Sequence, residues 1–555
     1  DVRFLTGAGR YTDDIKTYGE AAAVFARSTV ANGVIKSIDT SAAEGMPGVL
    51  AIFTGEDFTE VGGNPAGWLI NSRDGTPMHE PKRPVLAHGK VRHVGDAYAA
   101  VIAETVEQAK NAVEAIEADI EELPAVVNMK DALSGTDYVH DEIGTNQCFD
   151  WGWIEDNREA TDAAIKGAHH VTTLELVNNR LVPNAMEPRC SMAQYNRAND
   201  EYILHTTSQN PHLTRLLISA FVLGIPENKL TVIAPDVGGG FGSKIYHYGE
   251  EALVLAAAKK LNRPVKWTAD RTESFLTDAH GRDHVTKIEL AMDVEGNFLA
   301  FRTETYANVG AYLSNFATAT PTFLHGTLMA GNYTVPNVYV NVKAVFTNTA
   351  PVDAYRGAGR PEATYSLERV IDKAAREIGM DPIALRRQNF IKPDQYPFAS
   401  AAGLEYDSGN YDALMDRMEE VADVAGFAER RKASEAKGLL RGFGVNAYIE
   451  ACGIAPSNLV GVLGSRVGLY DAATVRVNAT GNLSVMVGAH SHGQGHETAF
   501  PQVVAEMLGI DASSIDIVHG DTSKIPFGMG TYGSRSLAVC GSAVVRATKK
   551  VINKA

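Results

Sequence analysis

The stretch that decides the fold is Pro235-Asp236-Val237-Gly238-Gly239-Gly240-Phe241-Gly242-Ser243-Lys244. The apolar run before it, residues 230–234, predicts a buried strand, and residues 250–258 after it predict a helix. Three consecutive glycines allow positive φ angles and leave no Cβ between the backbone and a ligand. The amides of such a loop, with a helix start behind them, are typical of a site for an anion or an oxo group. A tight turn that binds nothing explains this loop, taken alone, equally well.

The loop does not match the two common phosphate-binding patterns. A Walker loop ends in Lys followed by Ser or Thr, whereas Ile245 follows Lys244 here, and the GxGxxG spacing of a dinucleotide-binding fold is absent. The sequence therefore does not predict a nucleoside triphosphate or a Rossmann-bound NAD.

Three more glycine loops occur later in the chain, and each also precedes a predicted helix. They carry an arginine, a glutamine and several hydroxyl side chains among their glycines, which are residue types that bind polar ligands. We therefore predict that the four loops form walls of one large polar pocket. The three loops are Ala354-Tyr355-Arg356-Gly357-Ala358-Gly359-Arg360-Pro361, His490-Ser491-His492-Gly493-Gln494-Gly495-His496 and Gly528-Met529-Gly530-Thr531-Tyr532-Gly533-Ser534-Arg535-Ser536.

In their order and spacing the four motifs resemble those of the xanthine oxidase family, in its molybdopterin-binding large subunit. The resemblance runs from Arg3-Phe4-Leu5-Thr6-Gly7 to Cys540-Gly541-Ser542-Ala543-Val544, and the family includes aldehyde oxidases and aerobic carbon monoxide dehydrogenases. It implies a mixed α/β fold. The expected parts are a hammerhead-like α/β domain at residues 1–127, a connecting segment at 128–167, and a two-subdomain molybdopterin-binding domain at 168–555.

The resemblance also implies roles for individual residues. Gln209 would contact an oxo ligand of molybdenum, and Arg356 would bond the pterin. Because the pterin dithiolene holds the metal, no protein side chain is expected to ligate it, and the cofactor carries the chemistry. The remaining expected cofactor contacts are Gly239, Gly240, Phe241 and Gly242 beside the metal, Gly493 and Gln494 at the pterin or its phosphate tail, and Tyr532, Gly533, Ser534, Arg535 and Ser536 at the pyrophosphate and nucleotide. The expected form of the cofactor is the cytosine dinucleotide.

Four positions are expected to line the substrate channel, namely Ile245, Tyr355, Gly357 and Ala358. Purine oxidases of the family have a glutamate near the place of Ile245 and an aromatic residue in place of Ala358, so purines are disfavoured here. Copper-binding carbon monoxide oxidisers have a cysteine in the loop that reads Tyr355-Arg356-Gly357-Ala358-Gly359-Arg360 in this chain, which looks like the form II relatives. The resemblance thus implies hydroxylation of an aldehyde or an N-heteroaromatic C–H with water as the oxygen source. The alternatives are a carbon monoxide dehydrogenase large subunit and a non-catalytic paralogue or fragment that binds only partner subunits.

The family's active-site glutamate belongs to a Gly-Glu motif beyond the last residues of this sequence, so no catalytic residue is assigned. A fragment, and a subunit completed by a separate C-terminal polypeptide, both remain open.

Composition bears on the partners. The resemblance implies [2Fe-2S] clusters, FAD and a dimer of heteromers. Because the four cysteines form no CxxC pair and no FAD fingerprint occurs, we expect the clusters on an iron–sulfur small subunit and FAD on a medium subunit. A net charge of −16 argues against nucleic acid. No apolar run approaches the roughly 20 residues of a transmembrane segment. The expected location is the cytoplasm, with association at the inner face of the membrane left open.

Local patterns give further expectations. Strands are predicted at residues 21–28, 49–55, 98–103 and 446–450, and a capping box at Thr105 predicts a helix start. Residues 184–189 read as a turn with a local Glu–Arg pair. The basic pair Arg386-Arg387 reads as a solvated helix face. The three histidines at 490, 492 and 496 favour loop hydrogen bonding over a metal site.

Overall fold

A computed structural model of the chain describes residues 2–454 and 456–555. Its fold is mixed α/β. The strands are β1 (Ala21–Arg27), β2 (Gly33–Asp39), β3 (Val49–Thr54), β4 (Lys90–Val91), β5 (Ala97–Ala103), β6 (Glu117–Glu122), β7 (Gln147–Trp153), β8 (His170–Asn178), β9 (Cys190–Asn196), β10 (Glu201–Thr206), β11 (Leu230–Ile233), β12 (Val265–Thr268), β13 (His284–Met292), β14 (Phe298–Gly310), β15 (Asn337–Phe346), β16 (Phe398–Ala399), β17 (Glu405–Tyr406), β18 (Ala473–Val477), β19 (Leu483–Val487) and β20 (Ile515–Val518).

The α-helices alternate with these strands along much of the chain. They are α1 (Val2–Leu5), α2 (Ser41–Glu44), α3 (Val106–Glu114), α4 (Met129–Ser134), α5 (Arg158–Gly167), α6 (Pro211–Leu217), α7 (Gly249–Leu261), α8 (Arg271–Thr277), α9 (Phe323–Gly326), α10 (Arg360–Glu377), α11 (Pro382–Asn389), α12 (Tyr411–Val421), α13 (Phe427–Glu435), α14 (Ser457–Val462), α15 (His496–Leu508) and α16 (Ser542–Lys554). A π-helical turn, Ser536–Gly541, runs without a break into α16.

A seven-stranded sheet joins the N-terminal region to the rest of the molecule. Its order is β11-β10-β9-β12-β1-β5-β3, and β1 lies parallel to β12, with Ala21 opposite Val265. The predicted strands at 21–28, 49–55 and 98–103 are confirmed as β1, β3 and β5. The capping box is confirmed too, because the Gln108 amide donates to Thr105 Oγ1 and the Thr105 amide donates to Gln108 Oε1. The hammerhead-like region therefore continues the sheet of the region that follows it.

A five-stranded sheet, β7-β15-β14-β13-β8, packs against α10 and carries the largest hydrophobic core of the chain. Its edge strand β7 comes from residues 128–167, and α4 and α5 flank that strand. The prediction of an irregular connecting segment there was wrong. Polar residues on both sides of the strand obscure its apolar pattern in the sequence, but Cys148, Phe149 and Trp151 are buried in the core.

A three-stranded sheet, β18-β19-β20, packs on α15 and α16 through a separate small core. The structure assigns no strand to residues 446–450, where a strand was predicted, and pairs them with no other strand among the residues it describes. Their alternating apolar side chains pack on the main core. Hydrophobic alternation thus predicted the alternating burial of the side chains, while the predicted strand itself was wrong.

Of the basic pair in α11, Arg386 was predicted wrongly. Its side chain is fully buried and forms ion pairs with Glu368 (2.8 Å) and Asp372 (3.0 Å), which neutralise it inside the protein. Both partners belong to α10, a different helix, so the residues around Arg386 in the sequence do not indicate these ion pairs. No helix within residues 2–454 and 456–555 is long and apolar enough to cross a bilayer.

Candidate functional site

The four glycine loops meet at one cavity of about 960 Å³. The first loop follows β11, the second follows β15, the third follows β19, and the fourth follows β20 after an intervening turn. Gln209, which follows β10, lies in the same cavity. Loops at the carboxyl ends of strands, with helices behind them, are where α/β proteins commonly bind ligands.

The cavity gathers the predicted residues with one exception. Gly240 does not line it and is buried behind Gln209, and a Cβ at Gly240 would overlap the Gln209 side-chain amide. The predicted residues that line the cavity are Gln209, Gly239, Phe241, Gly242, Ile245, Tyr355, Arg356, Gly357, Ala358, Gly493, Gln494, Tyr532, Gly533, Ser534, Arg535 and Ser536.

The first loop is held in a conformation that leaves its amides open. Gly239, Phe241 and Gly242 have φ angles of +91°, +54° and +114°. Gly242 is required at its position, because a Cβ there would overlap the carbonyl oxygen of Ala354 in the second loop. Within the described chain, the amides of Gly239, Gly240 and Phe241 donate to no protein acceptor. Successive free N–H groups of this kind form a concave site for an anion or an oxo ligand.

A buried ion pair braces this loop from behind. The Lys244 ammonium contacts the Glu187 carboxylate at 3.0 Å and its backbone carbonyl at 2.8 Å, and the same carboxylate accepts from the Gly238 amide at 2.7 Å. Burial lowers the pKa of Lys244, and the Glu187 charge opposes that shift. The predicted local Glu187–Arg189 pair was wrong, because Arg189 pairs instead with Asp278 at 2.6 Å and Glu250 at 3.2 Å, far along the chain.

Gln209 ties the first loop to the fourth. Its Oε1 accepts from the Gly242 amide at 2.9 Å, and its Nε2 donates to the Thr531 carbonyl at 2.9 Å. The Thr531 amide donates back to the Gln209 carbonyl at 3.1 Å. A side-chain NH₂ has two hydrogens, so one donor of Gln209 is left for a ligand in the cavity.

Arg356 combines a fixed backbone with a free side chain. Its amide donates to the Phe241 carbonyl at 2.8 Å, and its own carbonyl accepts from Arg282 at 2.8 Å. The guanidinium is exposed and makes no hydrogen bond or ion pair with any residue in the described ranges; it lies 5.8 Å from the centre of the Phe241 ring. A planar donor fork is thus available at the cavity without a protein partner.

In the third loop the Gln494 side chain folds back on its own turn. Its Nε2 donates to His492 Nε2 at 2.6 Å, and its Oε1 accepts from the His492 amide at 2.8 Å. Burial lowers the pKa of His492 to about 3, so the ring is neutral and can accept this bond. In the part of the chain that the structure describes, no group of His, Cys, Asp or Glu side chains is arranged to hold a metal ion.

The fourth loop presents open amides and a buried hydroxyl at the start of a helix. Gly533 and Ser534 have φ angles of +56° and +52°, and the helical run that begins at Ser536 points its first N–H groups toward the loop. The Tyr532 hydroxyl is buried and has no hydrogen-bond partner among the described residues. Burial raises the pKa of Tyr532 to about 12, so its oxygen keeps a proton to donate.

The structure corrects the role predicted for Arg535. Its guanidinium is fully buried, forms an ion pair with Asp471, and donates to the carbonyls of Gly530 (2.8 Å), Leu469 (3.3 Å) and Tyr470 (3.3 Å). The charge is therefore satisfied inside the protein and holds the loop in place. Asp471 lies 64 residues upstream, so no local pattern in the sequence indicates the pair.

Two N-terminal side chains that sequence reasoning did not assign, Phe4 and Tyr11, also line the cavity. They are held there through Asp236 of the first loop, which forms an ion pair with Arg3 at 2.5 Å and accepts from the Arg10 amide at 2.8 Å. The sequence signal that could have indicated this arrangement is Asp236, a carboxylate shortly before the glycine run. The other lining residues that were not assigned are Met186, Val237, Gly238, Ala354, His492, His496, Ala499, Phe500, Thr531 and Leu537.

The donors of the cavity fit a phosphorylated, polar heterocyclic cofactor. Two sets of open amides, a helix start, a free guanidinium and an orphaned tyrosine hydroxyl all favour an anion or a ring rich in acceptors. The volume reaches the upper end of the range of about 300–1,000 Å³ for ligand pockets, which suits an extended molecule.

Comparison with known proteins gives the family. Residues 139–390 and 417–555 match profiles described as molybdopterin cofactor-binding domains. Residues 6–124 match the aldehyde oxidase and xanthine dehydrogenase a/b hammerhead domain.

Individual relatives agree over the whole chain. The carbon monoxide dehydrogenase large chain of Hydrogenophaga pseudoflava is 35% identical over 576 residues, covering 100% of this chain and 70% of the relative. The nicotine 6-hydroxylase large subunit of Paenarthrobacter nicotinovorans is 32% identical, covering 100% of this chain and 67% of that subunit. The crystal structure of quinoline 2-oxidoreductase from Pseudomonas putida 86 matches with a TM-score of 0.93 and 33% identity, over 99% of this chain and 69% of that one. The chain therefore belongs to the xanthine oxidase family of molybdenum-dependent oxidoreductases, as a large, molybdopterin-binding subunit.

Proposed function

We propose that this chain is the catalytic subunit of a molybdenum hydroxylase that oxidises an N-heteroaromatic or aldehyde C–H bond with water as the oxygen source. The observation that carries the proposal is the single cavity in which the four glycine loops present free donors around Gln209 and Arg356. Two of the relatives named above carry nicotine and quinoline in their names, and both are N-heteroaromatic compounds.

The cofactor we propose is molybdenum–molybdopterin cytosine dinucleotide. When bound, it supplies the two-electron oxidation of the C–H bond. The free N–H of Gln209 and the amides of Gly239 and Phe241 would hold the metal's oxo side, and Arg356 would bond the pterin. The amides of Gly533 and Ser534, with the helix start at Ser536, would hold the pyrophosphate, because a helix N-terminus favours phosphate.

We propose that the side-chain amide of Gln494 changes its hydrogen-bond partner when the cofactor binds. Its amide is bonded to His492, and the same donor would turn to the pterin or the phosphate tail when the cofactor binds. Gly493, with a φ of +111° and no atom near its missing Cβ, gives the loop room for that rotation. The Tyr532 hydroxyl would gain the acceptor that it lacks.

The walls of the substrate side are mostly apolar. Ile245, Ala358 and Phe241 offer aliphatic and aromatic surface beside the backbone of Gly357, and Tyr355 closes the same side. A flat aromatic ring or an aldehyde fits these walls better than a purine, whose polar edges need paired donors and acceptors. Among the described residues that line the cavity there is no carboxylate, so we propose that the base for the reaction comes from polypeptide outside this set.

Carbon monoxide oxidation is the second candidate, because a carbon monoxide dehydrogenase large chain is 35% identical. A copper ion in the site would need a thiolate, which is the ligand that copper(I) prefers. No cysteine is found among the described lining residues, and the three cysteines at 148, 190 and 540 are buried elsewhere. The cavity therefore favours C–H hydroxylation.

Partner subunits are proposed for electron transfer. The four cysteines are unpaired in sequence, and burial raises the pKa of Cys190 and Cys540 to about 12, which keeps them protonated and poor ligands for iron. We propose an iron–sulfur small subunit with [2Fe-2S] clusters and an FAD-binding medium subunit, assembled as a dimer of heteromers in the cytoplasm.

The test is turnover by the native complex in H₂¹⁸O with an artificial electron acceptor. Quinoline, benzaldehyde and carbon monoxide are offered in separate reactions. We expect ¹⁸O in the product of an N-heteroaromatic or aldehyde substrate and no oxidation of carbon monoxide. Oxidation of carbon monoxide alone would overturn the proposed substrate class. A complex with no turnover and no molybdenum would overturn the catalytic role and favour a subunit that only binds partners.

A further inference from the structure

A buried arginine, Arg282, lies directly behind the second glycine loop. Its Nη1 donates to the Tyr355 carbonyl at 2.9 Å, and its Nη2 donates to the Arg356 carbonyl at 2.8 Å. The guanidinium also lies 4.9 Å from the centre of the Tyr355 ring. Arg282 does not line the cavity, so one interior side chain holds the backbone of two residues that do.

The charge of Arg282 is balanced from the helix that follows the loop. Its Nη1 contacts the Glu362 carboxylate of α10 at 3.2 Å, and both side chains are buried. Removing two charges from water costs free energy that their attraction only partly returns, so a buried pair is weak evidence for a gain in stability. The planar fork of Arg282, in contrast, holds three acceptors at set positions. A role in fixing the conformation of the loop accounts for the pair better than a role in stability.

The backbone at Arg282 is itself in an unfavourable conformation. Arg282 and Asp283 both have φ angles of +65°, in the left-handed region that side chains other than glycine rarely adopt. Such residues persist where surrounding contacts impose the conformation, and they cluster at functional sites. Gly281, just before them, approaches the second loop so closely that a Cβ there would overlap the Cβ of Tyr355. The segment is thus shaped to meet the loop.

Neighbouring segments hold this backbone in place. The Gly281 amide donates to the Leu181 carbonyl at 2.8 Å, and the Leu181 amide donates back at 3.0 Å. The Asp283 carboxylate accepts from Arg180 at 2.8 Å and from Asn308 at 3.0 Å. These bonds anchor the segment to β14 and to the residues after β8, so Arg282 reaches the loop from a fixed base.

We propose that Arg282 is a positioning residue of the cofactor site, which aims the Arg356 guanidinium into the cavity. The two carbonyls that Arg282 holds belong to the peptide bonds on either side of the Arg356 Cα, and the Arg356 amide is bonded to the Phe241 carbonyl at 2.8 Å. With both peptide groups fixed, the direction in which the Arg356 side chain leaves the backbone is set. The contact of Arg356 with the pterin comes from the proposed function, on which this inference rests.

A fixed backbone matters here because the Arg356 guanidinium bonds no residue within the described ranges. A free arginine side chain samples many rotamers, and ordering them opposes binding. Holding the backbone reduces the orientations that the side chain samples before the ligand arrives, which lowers that cost. Arg282 therefore acts through Arg356 and need not touch the cofactor.

Hydrogen–deuterium exchange in the native complex tests whether Arg282 holds the loop. In Arg282→Met, the amides of Arg356 and Ala358 should exchange about tenfold faster than in the wild type, while those of β15 should not change. Both amides report opening of the loop, because they donate to the Phe241 and Tyr355 carbonyls at 2.8 and 2.7 Å. Arg282→Lys keeps the charge but not the planar fork and should give an intermediate rate. Unchanged exchange in both variants would overturn the proposal.

Arg386→Met is the matched control for the loss of a buried guanidinium. Arg386 also pairs with a carboxylate of α10, Glu368 at 2.8 Å, but it bonds no residue of the second loop and does not line the cavity. This variant should lower the midpoint of thermal unfolding and leave exchange in the second loop unchanged. Equal loosening of the loop in Arg386→Met would overturn the proposal, because the effect would then follow from general instability.

A double-mutant cycle tests whether Arg282 acts through Arg356. The dissociation constant of the cofactor should rise about tenfold for Arg282→Met alone, but less than about twofold when the change is made in Arg356→Ala, which lacks the side chain to be aimed. The same rise in both backgrounds would overturn the positioning role. A wild-type complex without molybdenum would overturn the proposed function as well, whereas unchanged loop exchange in a complex that contains molybdenum would overturn this inference alone.

Discussion

Replacing Arg356 by alanine should weaken cofactor binding without weakening the fold. The Arg356 guanidinium is exposed and bonds no residue within the described ranges, so its loss removes no protein contact and should change the free energy of unfolding by less than about 0.5 kcal/mol. A charge-assisted hydrogen bond to the pterin contributes about 1.5–3 kcal/mol. The dissociation constant of the cofactor should therefore rise by about 10- to 150-fold. Arg356→Lys keeps the charge but not the planar fork, so its dissociation constant for the cofactor should lie between those of the wild type and Arg356→Ala.

The assay compares molybdenum and nucleotide content per chain after extended dialysis of each purified complex, together with thermal unfolding of the same samples. Arg369→Ala is the control, because Arg369 is an exposed arginine outside the cavity, in helix α10, which follows the Arg356 loop. Equal cofactor retention in Arg356→Ala and wild type would refute the assignment of Arg356 to the pterin. Equal loss in Arg369→Ala would show that the effect is not local to the cavity.

Three further perturbations depend on buried contacts or backbone geometry. Asp471→Ala leaves the buried guanidinium of Arg535 unpaired, so urea denaturation should show a loss of about 3–5 kcal/mol, and a loss below about 1 kcal/mol would contradict a buried pair. Gly242→Ala places a Cβ against the Ala354 carbonyl oxygen at a φ of +114°, so this variant should contain less molybdenum than the wild type. Gly89→Ala is the control, because Gly89 has a φ of +71° and open space around it, and it should retain molybdenum. Equal molybdenum content in the two variants would contradict the proposed role of the first loop. Burial lowers the pKa of His325 from 6.5 to about 4, so the unfolded chain binds a proton in this range that the native chain does not, and stability should fall as the pH drops from 6.5 to 4. In urea titrations, the fall in the free energy of unfolding between pH 6.5 and pH 5 should be smaller by about 2 kcal/mol in His325→Leu than in the wild type. The same pH profile in both proteins would contradict burial of the ring.

The parts of the site that the sequence predicted are those determined by neighbouring residues. The apolar run before the first loop and the helix after it follow from local hydrophobic pattern, and β11 and α7 occupy those places. The glycines at 239 and 242 do adopt positive φ angles, as their residue type allows. That four loops line one cavity was predicted from their shared residue types, and the cavity contains members of all four.

What the sequence did not predict depends on contacts between distant residues. Arg535 looked like a ligand residue because it lies beside glycines and serines, yet its charge is satisfied by Asp471 in the interior. Arg386 looked like a surface residue because Arg387 follows it, yet it pairs with Glu368 on another helix. Such pairings require knowledge of which elements pack together, and no local pattern records that.

The two strand errors have the same origin. Residues 147–153 were read as part of a connection because polar residues flank them, although they form the edge of the five-stranded sheet. Residues 446–450 have the alternation of a strand but lack a partner in the described chain. Alternation reports which side chains are buried, while strand pairing depends on a second segment.

The most direct test of the central claim is quantitative analysis of molybdenum and of acid-released nucleotide in the native purified complex. We predict close to one molybdenum and one cytidine monophosphate for each copy of this chain, and coordinated loss of both in Arg356→Ala. A native complex that contains neither molybdenum nor a pterin-derived nucleotide would contradict the account of the cavity as a molybdopterin dinucleotide site.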